Sequence, residues 1–185
     1  MKKSKGKAKK VQGRGSRKWL IWSVAIIILV LALILRSYIF LLVLISLNVL
    51  TSTLLRSLRR NQIGIEMVMF STVMSGVLYG ATIGAIMGAV SMIIDYTFAT
   101  RISPFALITI PSYAAVGFIS PLLSFMSITT LGITVTVAYV VISNLIIVGL
   151  MGGQLHKSLR FGISDIAFNA LIFATVAPFV LKILT

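Results

Sequence analysis

The stretch that decides the fold is GATIGAIMGAVSMIID, residues 80–95. Glycine occupies every fourth position at Gly80, Gly84 and Gly88, and Asp95 follows within the same apolar run. In a membrane-spanning helix, small residues four apart form a surface on which a second helix packs closely. At 100° per residue, Asp95 lies within about 20° of the directions of Gly84 and Gly88. The spacing therefore predicts that this carboxyl group faces protein or an aqueous cavity, because an ionised acid facing lipid costs several kcal/mol.

The composition is that of a membrane protein. Of the 185 residues, 58% are hydrophobic and only 11% are charged, and the mean hydropathy is +1.08. Runs of roughly 20 apolar residues, the length that spans a bilayer as a helix, follow one another along the chain. The chain has no cysteine, and its one histidine, His156, lies in a polar segment beside Lys157. We therefore predict an all-α polytopic bundle of six or seven transmembrane helices, with no metal site and no cofactor.

The hydrophobic segments predict seven helices joined by short connections. Short connections at residues 36–37, 79–80 and 126–127 favour antiparallel neighbours in one compact domain, residues 19–185. The predicted helices cover residues 19–35, 38–55, 63–79, 81–98, 104–125, 128–150 and 163–184.

Residues 1–18 form a basic tail with nine Lys or Arg and no acid. Such a segment has too few apolar residues to bury a core, so we expect it to be disordered and to lie against anionic lipids. Nucleic acid is not expected as a partner, because no aromatic residue precedes Trp19. The distribution of Lys and Arg predicts a multi-pass protein of the cell membrane with a cytoplasmic N-terminus and an outside C-terminus.

Polar and small residues recur on single helix faces in the second half of the chain. Asp165 and Asn169 share one face of the last helix, and Ala170 and Ala174 lie on another. Such rows either hold helices together or line a cavity. Glu66 and Asp165, each near a predicted helix start, can equally be N-terminal caps. A further stripe comprises Thr129, Gly132, Thr136, Tyr139 and Ser143.

The segment IGIEMVMFSTVMSGVLYGATIGAIMGAVSMIIDYTF, residues 63–98, resembles the second and third transmembrane helices of the substrate-binding S components of energy-coupling factor (ECF) transporters. The likeness consists of a short helix ending in glycine, a tight turn, and a glycine-spaced helix closed by a polar residue. SPFALITIPSYAAVGFISPLL and FNALIFATVAPFVLKIL resemble later helices of that fold. The bacterial rod-shape-determining membrane subunit, which is similar to S components, has the same pattern.

The resemblance implies a six-helix bundle that binds a vitamin-like molecule and is energised by a T component with two partner ATPases. This chain has no phosphate-binding loop of its own. The alanine-x-x-x-alanine motif by which the family docks on the T component is absent from residues 38–55, and Ala170 and Ala174 supply that spacing in the last helix. The candidate substrate-binding residues are Glu66, Tyr79, Asp95, Tyr113, Tyr139, Asn144 and Asn169.

Two other functions compete with small-molecule transport. A non-enzymatic scaffold or assembly subunit would use the small-residue faces to hold partner helices, and its interior would be filled. An intramembrane aspartyl protease would use Asp95 and Asp165 as a dyad sharing one proton, with GISD at 162–165 distantly similar to the signature of such enzymes. No other nucleophile and base are paired in the sequence, so we expect the chain not to be an enzyme.

Overall fold

The computed structural model describes residues 13–57, 64–100 and 104–184, and this part of the chain is all-helical. Five of its helices are long and apolar enough to cross a membrane. The remaining helix, α2, is shorter and also apolar. The helices are α1 (Gly13–Ser57), α2 (Val68–Tyr79), α3 (Ala81–Phe98), α4 (Ala106–Ile119, continued by a 3-10 turn at Ser120–Leu123), α5 (Ile128–Gly149) and α6 (Leu155–Leu184).

α1 corrects the prediction of two separate helices at residues 19–35 and 38–55. The structure has one continuous helix through Arg36 and Ser37. Neither residue is a strong helix breaker such as glycine or proline, and arginine is among the better helix formers. The polar pair therefore marks a change in the apolar pattern without ending the helix.

The chain divides into two units, residues 1–42 and 43–185. In the first unit, the described side chains from Trp19 to Leu31 are all exposed and nearly all apolar. The Ser23 hydroxyl donates to the carbonyl oxygen of Trp19, which satisfies its hydrogen within the helix. This segment is suited to a lipid environment. The predicted tail at 1–18 overlaps α1 from Gly13 onward, and residues 1–12 lie outside the described residues.

α2 is the central helix of the second unit. All residues from Val68 to Gly76 are buried, and α2 packs against α3, α4, α5 and α6. A helix that is apolar on every side is stable only when it is surrounded, and its neighbours supply that environment. The short helix therefore forms the core around which the longer helices are arranged.

Glycines bring α2, α3 and α4 into close contact. Gly84 packs on Gly76 and Gly88 on Thr72, so α2 and α3 run antiparallel. On its other side, Gly84 meets the backbone of Gly117 in α4, where a Cβ on either glycine would overlap the partner's carbonyl oxygen. This contact is of the small-residue kind by which helices associate in membranes.

Gly80 has a different role from Gly84 and Gly88. Its φ of 92° places it in the region that favours glycine, and a Cβ there would meet no atom within 4 Å. Gly80 thus forms the turn between α2 and α3 and does not pack against another helix.

α6 begins earlier than predicted, at Leu155 rather than at residue 163. His156 and Lys157, predicted to lie in a polar loop, are in its first turn. The helix packs mainly on α5, where the Phe173 ring lies directly on Gly132. The predicted packing pair of α6 lies mostly outside this contact, since Ala170 is half-buried and Ala174 is exposed.

Replacing Gly117 by alanine tests the contact between α3 and α4. The new methyl group would overlap Gly84, so we expect Gly117→Ala to lower stability by about 1–3 kcal/mol, measured as a lower Tm in detergent. Gly149→Ala is the matched control, because a Cβ there meets nothing within 4 Å. Equal Tm values for Gly117→Ala and wild type would mean that the two helices are not in contact.

Candidate binding cavity

A cavity of about 560 Å³ lies in the second unit, among the segment before α2 and helices α3, α4, α5 and α6. Four of the seven predicted substrate-binding residues line it: Glu66, Asp95, Tyr139 and Asn144. Tyr113 and Asn169 are buried and do not line it, but Tyr113 contacts both Glu66 and Tyr139. Tyr79 is at the C-terminal end of α2, half-buried and away from the cavity lining.

Glu66 does not cap α2, although its position in the sequence made an N-terminal cap one of its two predicted roles. The residue before α2 is Met67, and the cap makes no side-chain hydrogen bond. The Glu66 side chain is instead buried, and the Tyr113 hydroxyl donates a hydrogen bond to its Oε1. The Tyr113 and Tyr139 rings lie 4.5 Å apart between centroids, within the range of favourable aromatic pairs. Tyr113 from α4, packed against Tyr139 from α5, therefore holds this carboxyl group at the cavity wall.

The backbone before Glu66 is anchored to α6. The Gly64 amide donates to Ser164 Oγ at 2.7 Å. A Cβ at Gly64 would come within 2.6 Å of Asp165 Cβ and 2.7 Å of the Phe161 carbonyl oxygen. Only glycine allows this close approach. Without this close approach of Gly64 to α6, the Glu66 side chain would not be held beside that helix.

Asp95 is buried in the last turns of α3 and accepts a hydrogen bond from Ser52 Oγ at 2.8 Å. One turn earlier on α1, Asn48 Nδ2 donates to Ser71 Oγ at 2.8 Å and to Ser91 Oγ at 3.1 Å. These bonds join α1, α2 and α3 within the second unit. Sequence reasoning missed Asn48 and Ser52, although their spacing of four in an apolar run is the signal of a shared polar face.

Asp165 and Asn169 form a second polar pair, and both are fully buried. Asn169 Nδ2 donates to Asp165 Oδ1 at 2.7 Å and to the Asp165 carbonyl oxygen at 3.0 Å. Because α6 starts at Leu155, Asp165 lies well inside the helix and is not an N-terminal cap. The anchored segment brings Glu66 close to Asp165 in space, since a Cβ at Gly64 would come within 2.6 Å of Asp165 Cβ.

Several lining residues were not among the predicted ones. Ser143 belonged to the predicted stripe on α5 and now lines the cavity beside Tyr139. Ser158 Oγ donates to Asn144 Oδ1, which ties the start of α6 to α5. Tyr96 and Thr109 share a hydrogen bond of 2.8 Å between α3 and α4. The sequence pattern gave little indication of Tyr96 and Thr109, since each is a single polar residue near a helix end.

Asp95 accepts from Ser52 on α1, and Asp165 accepts from Asn169 on its own helix. The dyad of Asp95 and Asp165 stays a prediction. In the described part of the chain, no three His, Cys, Asp or Glu residues form a group that could hold a metal ion. The chemistry of the cavity is that of recognition by carboxyl, hydroxyl, amide and aromatic groups.

No known protein family, curated protein or solved structure matches this chain.

The hydrogen bond from Tyr113 to Glu66 is testable by a single-atom deletion. Tyr113→Phe leaves Glu66 without this donor in a buried position, so we expect a loss of about 1–3 kcal/mol and a lower Tm in detergent. Tyr38→Phe is the control, since the Tyr38 side chain is 64% exposed and its variant should unfold at the wild-type Tm. If the two variants had equal Tm values, the bond would contribute nothing to stability.

Proposed function

We propose that this chain is a membrane-embedded binding subunit whose cavity takes a small polar molecule. The observation that carries the proposal is a cavity of about 560 Å³ walled by the buried carboxyl groups of Glu66 and Asp95. Acids inside a membrane bundle are costly, and they mark ligand or ion pathways more often than structural sites. The chain has only three acidic residues, so placing two of them at one cavity is a strong bias toward binding.

The cavity has the mixed chemistry of a ligand site. Its volume lies within the range of roughly 300–1,000 Å³ that small-molecule sites occupy. Aromatic rings of Tyr139, Tyr96 and Phe105 offer apolar faces, while Asn144 and Ser143 add a few polar groups. A ligand with a flat or apolar body and one or two polar ends fits this pattern.

The cavity favours binding over a purely structural role. A scaffold that only holds partner helices would be stabilised by a filled interior, because empty space forfeits packing contacts. A binding subunit needs the space. The scaffold hypothesis would be supported by a protein that retains no small molecule in the binding test. We assign the chain no catalytic role.

The finer proposal is a subunit similar to an ECF S component, which takes up a vitamin-like molecule with a T component and partner ATPases. The antiparallel α2 and α3 hairpin, with its turn at Gly80, supports this proposal, because the resemblance rests on that pattern. Ala174, exposed on α6, is available to a docking partner. We place the protein in the cell membrane with its basic tail on the cytoplasmic side.

We propose six crossings, which is within the predicted range of six or seven. Five are made by α1, α3, α4, α5 and α6, the helices long enough to span a membrane. The sixth is made by the shorter α2 together with the segment that precedes it, since α2 runs back along α3 from the turn at Gly80. Six crossings would return the C-terminus to the side of the N-terminus.

The natural absence of cysteine allows a direct test of that topology. We expect single variants Ser4→Cys and Ile183→Cys to react with an impermeant maleimide from the same side of sealed, oriented vesicles. The cysteine-free wild type gives the background. Reaction from opposite sides would establish an odd number of crossings and restore the seven-helix prediction.

The binding proposal is tested by purifying the tagged protein in mild detergent and identifying small molecules and proteins that copurify, by mass spectrometry. Asn144→Leu removes an amide from the cavity wall, so we expect at least a tenfold loss of the retained molecule. Tyr79→Phe is the matched control, because Tyr79 does not line the cavity. The control should retain the molecule at the wild-type level.

The proteins in the same sample separate the finer proposal from its alternative. A T component with ATPases supports the ECF-like subunit. A sample with no small molecule, and with envelope-assembly proteins alone, would overturn binding in favour of the scaffold.

A further inference from the structure

Two buried oxygen atoms beside the cavity have no hydrogen-bond partner. They are Asp165 Oδ2 and Asn169 Oδ1, on adjacent turns of α6. Both residues are fully buried. An unpartnered polar atom in a low-dielectric interior costs about 1–3 kcal/mol, and more when it is charged. Both atoms can accept a hydrogen bond or ligate a cation.

The orientation of the Asn169 amide is fixed by its hydrogen bonds. Its Nδ2 donates both to Asp165 Oδ1 and to the Asp165 carbonyl oxygen. Exchanging the amide nitrogen and oxygen would place an acceptor against two acceptors, so Oδ1 stays directed away from them. When Asp165 is ionised, the free positions of the pair are therefore both acceptors, and a donor or a cation satisfies them.

Charge distinguishes a cation from a neutral donor. The segment that carries Glu66 is fixed to α6 through Gly64 and Ser164, and a Cβ at Gly64 would come within 2.6 Å of Asp165 Cβ. Two carboxyl groups close together in an apolar bundle repel when both are ionised. A positive charge between them offsets that repulsion and supplies the partner that Oδ2 and Oδ1 lack.

We propose that Asp165 and Asn169, beside Glu66, bind one monovalent metal cation. Carboxylate and amide oxygens are the ligands that hard cations prefer. The described residues hold no group of three acidic, histidine or cysteine ligands, and such a poor ligand set suits a single charge better than a divalent ion. The site adjoins the cavity through Glu66, which lines the cavity, and through Phe161 and Gly162 on α6.

The other unpartnered amide oxygen, Asn48 Oδ1, does not make a comparable site. The Asn48 amide is bonded to the hydroxyls of Ser71 and Ser91, which are neutral. At Asp165, in contrast, the unpartnered amide oxygen and an unpartnered carboxylate oxygen belong to one bonded pair. The carboxyl group at the first place, Asp95, accepts from Ser52, so it is the second place that combines an amide oxygen with an unpartnered carboxylate oxygen.

The test uses metal ions alone, with the full-length protein in detergent. We expect the Tm in NaCl or KCl to exceed the Tm in choline chloride of equal ionic strength by about 3 °C, since a ligand that binds only the folded state raises its stability. Asp165→Asn keeps the shape of the side chain, and it should abolish the difference between salts. Ser75→Ala, which removes another unpartnered buried oxygen, should keep it.

A second measurement guards against loss of folding in Asp165→Asn. We expect the wild type to retain radioactive ²²Na⁺ at one ion per chain on rapid gel filtration, displaced by excess NaCl and not by choline chloride. Equal Tm values in all three salts, or no retained ion, would overturn the proposal and leave a water or a proton as the occupant. Because no small molecule is used, either result is independent of the binding test on Asn144.

Discussion

The cost of an acidic side chain in hydrocarbon is the constraint on which the rest of this structure depends. All three acids of the chain, Glu66, Asp95 and Asp165, lie inside the second unit, and none is more than 2% exposed. Each therefore needs polar partners within the protein. Tyr113 from α4 donates a hydrogen bond to Glu66, and Ser52 from α1 donates one to Asp95. Asn169 donates one to Asp165 from the next turn of α6.

Close helix contacts make those partnerships reachable. Gly84 and Gly117 allow α3 and α4 to touch along their backbones. Tyr113 lies one turn before Gly117, and its backbone carbonyl meets Gly88. The contact between α3 and α4 thus fixes the position of Tyr113 along α2, where its hydroxyl reaches Glu66. Gly64 has the same effect on the other side, by letting the extended segment lie against α6. Glycine is used here to place polar groups, as well as to pack helices.

Sequence reasoning could predict those features that depend on one helix at a time. The bounds of α3 follow from Gly80 and the end of the apolar run, and the inward direction of Asp95 and Tyr139 follows from periodicity and the cost of lipid exposure. The continuity of α1 through Arg36 and the early start of α6 could not be predicted, because hydrophobicity locates apolar segments and not helix ends. Partnerships such as Ser52 with Asp95 join residues 43 apart, and the pattern within one helix contains no information about them.

The two polar groups around the cavity differ in what they leave unsatisfied. The group formed by Asn48, Ser52, Ser71, Ser91 and Asp95 connects three helices through hydroxyls, which can both donate and accept. The group at Asp165 contains more acceptors than donors, since the Asn169 amide nitrogen donates both of its hydrogen bonds to Asp165 itself. A group rich in hydroxyls can be stable on its own, whereas a group with acceptors in excess gains from a donor, a proton or a cation. The first group thus connects three helices, and the second holds an unpartnered carboxylate oxygen beside an unpartnered amide oxygen.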